Sequence, residues 1–158
     1  MTSPSETGCC PRFDTAPWDG QEITWQQKRF VTDRVRSVLH IPLNFGSVLA
    51  GNLKLIEAAD ALESPRLLLS DENSLWGSDL FIAVTKSVPG ATMTEISGTF
   101  LTKVFEGPYR HAGTWAADMT SSVEAAGHSV KRLFFFYTTC PRCAAVYGKN
   151  FTVLLAQV

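Results

Sequence analysis

Three groups of side chains in this sequence are equipped for chemistry: a few carboxylates, a rich set of aromatics, and four cysteines in two doublets. Asp71 and Glu72 follow a short apolar run, and Glu106 stands just before the strand breaker Gly107-Pro108. A carboxylate desolvated among aromatic rings holds its proton more tightly and can orient or deprotonate a water. Glu72 is the first choice for that role, because it lies between the apolar run and Trp76. The aromatic set is Trp76, Phe105, Tyr109, Trp115, Phe135 and Tyr137. Such a group suits a planar ligand held by stacking, with Tyr O–H and Trp N–H fixing its orientation. The same rings also serve as filling for a small core, and turn carboxylates are also ordinary solvated groups.

The cysteines are Cys9-Cys10 and Cys140-Pro-Arg-Cys143. A C-x-x-C in a proline-containing loop is a good half of a structural zinc site, since both thiolates can face one metal. Cys9 or Cys10, with a histidine, would complete four ligands and tie the N-terminal arm to the loop before the last strand. Buried or free thiols are the competing state. Catalysis itself calls for no cofactor. Of the histidines, His40 ends a strand, His111 opens a helix and His128 sits in a turn; His40 is counted with the residues that would line a cleft. None pairs with a serine or cysteine as base to nucleophile. Phosphate loops, dinucleotide fingerprints and metalloprotease helices are absent from the sequence.

The elements that must position these groups follow from period and punctuation. Residues 1–29 read as a flexible tail and an arm, in which Phe13 and Trp18 are apolar anchors able to lie across a folded surface. Residues 22–28 fit a short edge strand, and 30–43 a long one with Val31 and Val35 on one face and Arg34 and Arg36 on the other. Asn44 is placed to cap a helix running to about Leu62, with Val48, Leu49, Leu53, Ile56, Ala59 and Leu62 as its apolar stripe. Residues 66–70 and 79–86 are apolar strands, with Asp71-Glu72-Asn73 in the turn between them. The order then repeats: strand 94–106, helix 110–126 with the stripe Ala112, Trp115, Ala116, Met119 and Val123, a cap at Gly127, strand 130–139 and strand 151–158. The expected fold is α+β. Two pseudo-symmetric strand–helix–strand–strand units, 30–90 and 91–158, form one antiparallel sheet with two helices on one side and an aromatic cleft where the units meet.

The bulk numbers narrow the function. A chain of 158 residues holds one domain or two half-domains sharing a core. With 14 basic and 15 acidic side chains there is no basic excess to grip a phosphate backbone, which argues against direct nucleic-acid binding. No apolar run reaches the ~18 residues of a membrane span. The polar start MTSPSETGCC has neither the basic nor the apolar region of an export signal, so the expected compartment is the cytoplasm and the expected state a monomer or weak homodimer.

Phe105-Glu106-Gly107-Pro108-Tyr109 opening a helix with an inward tryptophan, then a glycine turn and an aromatic strand, resembles the GyrI-like small-molecule-binding domains. The match covers 99–139 and 151–158 by motif, and the first half by element order. The resemblance implies an aromatic cleft that takes flat small molecules. One branch without a DNA-binding domain hydrolyses the strained cyclopropane of DNA-alkylating natural products. On that branch the implied function is hydrolase and detoxification, conferring antibiotic resistance; the alternative is a non-catalytic binder of planar aromatic molecules. The implied roles are Glu72, Asp71 or Glu106 for the water and Tyr137 or Tyr109 for the charge growing on the carbonyl oxygen. The family's buried glutamate is replaced here by Phe134, Phe135, Phe136 and Tyr137, which favours neutral ligands over cations. A zinc held by the four cysteines would appear at about one equivalent in metal analysis of the purified protein; a metal-free protein that folds normally would remove the zinc reading.

Overall fold

The computed structural model of the protein describes residues 13–38, 41–42, 44–63, 66–74, 77–138, 148 and 150–158. The described elements are β1 (Glu22–Val38), β2 (Ile41–Pro42), α1 (Phe45–Ala58), β3 (Leu68–Ser74), β4 (Gly77–Ala83), β5 (Met93–Glu106), a 3-10 turn (Tyr109–His111), α2 (Ala112–Ala125), β6 (Arg132–Tyr137) and β7 (Phe151–Gln157). The α+β class and the repeated strand–helix–strand–strand order both stand. No helix among the described residues is long and apolar enough to cross a membrane.

The chain folds as two compact units. One is contiguous, Trp25–Ser97; the other is split, joining the stretch up to Thr24 to Gly98–Val158. In the contiguous unit β1 pairs antiparallel with β4 and β4 with β3. In the split unit β5 and β6 both pair antiparallel with β7. The expected antiparallel sheet is not an open one, because β5 is bonded on both edges, to β7 and to β1.

Each unit lays one helix on one face of its strands. In the contiguous unit Val31, Val35, Leu80 and Ile82 meet Ile56 of α1, and Val48, Leu49, Leu53, Ala59 and Leu62 close the cluster. This is the stripe expected from the sequence. Ile56 is fully buried, and burial of such a side chain contributes about 1.5–3 kcal/mol. In the split unit Trp115, Met119 and Val123 of α2 pack on Phe135, Leu154 and Ala156.

Strand parity sends Phe134 and Phe136 to the face away from α2. There Phe134 meets Phe100, with ring centroids 6.0 Å apart. The N-terminal arm covers the rest: Phe13 and Trp18 lie edge-on to Phe136 at 5.8 and 5.5 Å. The arm is fastened to β5 by Thr102 N–H donating to Gln21 O, Gly20 N–H to Thr102 O and Val104 N–H to Asp19 Oδ1. Phe13 and Trp18 thus lie across the folded surface as the expected apolar anchors.

Four local expectations are corrected. Residues 22–28 and the start of 30–43 form one strand, β1, which runs from Glu22 to Val38 even though Gln27 takes a left-handed φ of 51°; the Gln27 N–H donates to Ser97 Oγ at 2.7 Å. Asn44 occupies the N-cap position but makes no side-chain cap; its Oδ1 accepts from Arg36 N–H instead. The first helix ends at Ala58, where Asp60 turns the chain with φ 50°. Asp71, Glu72 and Asn73 are not a turn but the outer half of β3. Gly127, by contrast, follows α2 with the positive φ of 84° that its capping role requires.

Phe134→Ala is expected to remove about 3–5 kcal/mol of stability, read as a lower denaturant midpoint with the β-rich circular dichroism retained below it. An unchanged midpoint would contradict this packing.

Candidate functional site

In the contiguous unit, α1 occupies the Val31/Val35 face, so the opposite parity of β1 presents Phe30, Thr32 and Arg34. Register places Arg34 opposite Asp79, and Asp79 opposite Asp71. The row Arg34–Asp79–Asp71 therefore crosses three neighbouring strands on the face that α1 leaves. Behind it on the same face, Phe30, Phe81 and Leu69 are buried. The Arg34 guanidinium donates to Asp79 Oδ1 at 3.1 Å. Two carboxylates directly opposite in a strand pair repel each other, and the guanidinium offsets that charge.

Two backbone features shape the row. Between Asp71↔Asp79 and Ser74↔Gly77 the register shifts: β3 advances three residues (71 to 74) while β4 advances two (79 to 77). The extra residue is a bulge at Glu72–Asn73, a device that re-aims side chains and recurs beside active sites. Gly77 is the second feature. A Cβ there would lie 2.8 Å from Arg34 Nε and Nη2 and 2.8 Å from the Val35 carbonyl oxygen. Only glycine lets the guanidinium lie against the β4 backbone.

In the split unit, Phe105 stacks on Trp115 at 5.8 Å and 24°, and Phe135 on Tyr137 at 5.9 Å and 15°. His111 meets Trp115 edge-on at 6.4 Å, and the Lys103 ammonium lies 5.3 Å over the Phe105 ring. Trp115 and Phe135 are 5% and 6% exposed, so they are mainly core under α2; Phe105 and Tyr137 are half-buried and form the edge of that layer. Glu106 is exposed at the end of β5, on the parity opposite to Phe105.

Four of the expected aromatic residues (Phe105, Trp115, Phe135 and Tyr137) thus come together in one layer. Asp71 and Glu72 sit together in β3. Tyr109 lies in the 3-10 turn, with its side chain outside the described residues, as are Trp76, His40 and Cys9, Cys10, Cys140 and Cys143. Among the described residues no group of three or more His, Cys, Asp or Glu is placed to hold a metal. Sequence reasoning missed Arg34 and Asp79 as partners of Asp71. The signal was half present: the alternation of β1 put Arg34 on the right face, but only the strand register brings Asp79 between it and Asp71.

An α+β chain carrying a paired-carboxylate and arginine row is furnished for reactions of water. The whole chain, residues 1–158, matches the family described as Bacterial hydrolase, and the protein belongs to that family. No curated protein matches it.

The Arg34–Asp79 pair is part exposed, at 47% and 34%, and such pairs contribute about 0–1 kcal/mol. Arg34→Gln is therefore expected to shift the unfolding midpoint little. Gly77→Ala is expected to cost more, because the Val35 backbone cannot swing aside. A larger loss from the arginine variant in a denaturant titration would overturn this ranking.

Proposed function

We propose that the protein is a hydrolase in which Asp71, with Glu72 in the adjoining bulge, positions and deprotonates a water, while Arg34 receives the negative charge that develops on the substrate. The opposition of Asp71 and Asp79 beside the Arg34 guanidinium carries this reading. It provides a base, a partner that keeps Arg34 oriented, and a cation for an oxyanion. The family description supports hydrolysis as the class of reaction.

The substrate proposed is a neutral aromatic natural product bearing a cyclopropane conjugated to a dienone, the class that the GyrI-like resemblance implies. Water oxygen bonds to the ring carbon as the cyclopropane C–C bond breaks. The released electron pair runs through the dienone to its oxygen, giving a phenolate. The water proton passes to the carboxylate and then to the phenolate, so the product is substrate plus one water. Strain in the three-membered ring drives the opening, and the protein supplies water placement and charge stabilisation.

A second reading, a non-catalytic binder of planar aromatic molecules, draws on the stacked layer Phe105, Trp115, Phe135 and Tyr137.

Incubation with a cyclopropanoid substrate, followed by mass spectrometry, is expected to yield a product heavier by one water. Asp71→Asn should lower turnover by about 10²-fold or more, with KM little changed; Glu72→Gln tests the neighbouring carboxylate in the same assay. Recovery of unchanged compound bound to the protein would leave the binder. Full turnover by Asp71→Asn would remove Asp71 from the role of base.

A further inference from the structure

Within the contiguous unit β1 also runs beside the start of β5, and there Arg29 comes to stand opposite Glu95. Two hydrogen bonds set that register: Thr32 N–H donates to Thr92 O at 2.9 Å, and Gln27 N–H to Ser97 Oγ at 2.7 Å. Going back from 32 to 27 on one strand matches going on from 92 to 97 on the other, so the two run antiparallel and Arg29 faces Glu95. Opposite charges so placed ordinarily join. Arg34 and Asp79, also directly opposed, meet at 3.1 Å. Arg29 and Glu95 do not: among the described residues neither side chain makes an ion pair or a hydrogen bond.

A recess of about 310 Å³ lies at this pair, lined by Arg29, Glu95, Ser87, Met93 and Thr94. That volume is at the lower end of small-molecule sites, which span about 300–1,000 Å³. Parity gives the recess an apolar base. Arg29 shares the α1 face with Val31, and Glu95 shares it with Met93, which packs against the core under α1. The Arg34–Asp79–Asp71 row is on the other face. The Ser87 and Thr94 hydroxyls, like the two charges, make no hydrogen bond among the described residues. Side chains directly opposed on two strands start about 5 Å apart at Cβ, so a ligand that answers both charges carries its own two close together. Glu95 would repel a bare anion, and Arg29 a bare cation. An α-amino acid holds its carboxylate and ammonium on one carbon, and an apolar side chain would lie on the Met93 thioether.

We propose that this recess binds a free α-amino acid with an apolar side chain. Arg29 takes the carboxylate, with the Ser87 and Thr94 hydroxyls as further donors, and Glu95 takes the ammonium. The inference concerns binding alone, on the face opposite the polar row, and does not depend on hydrolysis.

L-Leucine, leucinamide and N-acetyl-leucine probe it, since the second lacks the carboxylate and the third lacks the ammonium. In calorimetric titration of the full chain, leucine is expected to bind about tenfold more tightly than either derivative, the factor that one charge-assisted hydrogen bond supplies. Arg29→Gln should bring leucine down to the affinity of leucinamide, and Glu95→Gln to that of N-acetyl-leucine. Both side chains are exposed, so both variants should keep the wild-type melting temperature, which separates lost binding from lost folding. Equal affinity of the wild-type protein for the three compounds, or no binding of leucine, would overturn the proposal. Leucine binding unchanged in either variant would overturn it as well.

Discussion

A β-strand has two faces, and in each unit a single helix claims one of them. That constraint distributes nearly every side chain with a role. In the contiguous unit α1 takes Val31, Val35, Leu80 and Ile82, and the residues of the other parity form the row that ends in Arg34, Asp79 and Asp71. In the split unit α2 takes Phe135 and Leu154, which commits Phe105, Thr152 and Tyr137 to the same layer and turns Phe134 and Phe136 toward the arm. A slip of one residue in any of these registers would exchange the two sets.

The polar row adds little to stability. A part-exposed arginine–aspartate pair adds little to folding, and a second carboxylate directly opposite subtracts from it. A bulge beside the row and a glycine under the guanidinium are further local concessions. Hydrophobic contact with α1 and α2 holds the strands and leaves the row free to carry unfavourable electrostatics.

The periodic elements were legible in the sequence, because the apolar stripes of both helices repeat over several turns and the strands alternate between glycine and proline stops. The segment Asp71-Glu72-Asn73 was not legible as strand: its residue types favour turns, and tertiary pairing with β4 overrides that preference. Asn44 shows the same limit on a smaller scale. Its type and position mark a cap, yet the nearby Arg36 N–H takes its oxygen. The role of Asp79 was hidden because a cross-strand neighbour is fixed by register, which no local window contains.

The arm that covers Phe136 has a consequence for how the protein is made. Asp19 finds its partner at Val104, 85 residues later in the chain. During synthesis, Phe13 and Trp18 emerge first and have nothing to cover until β5, β6 and β7 follow. Trp25–Ser97, in contrast, holds its own strands and helix within one uninterrupted stretch. It can therefore complete its core while the ribosome is still working, and the split unit closes last, because its arm must meet strands from the far end of the sequence.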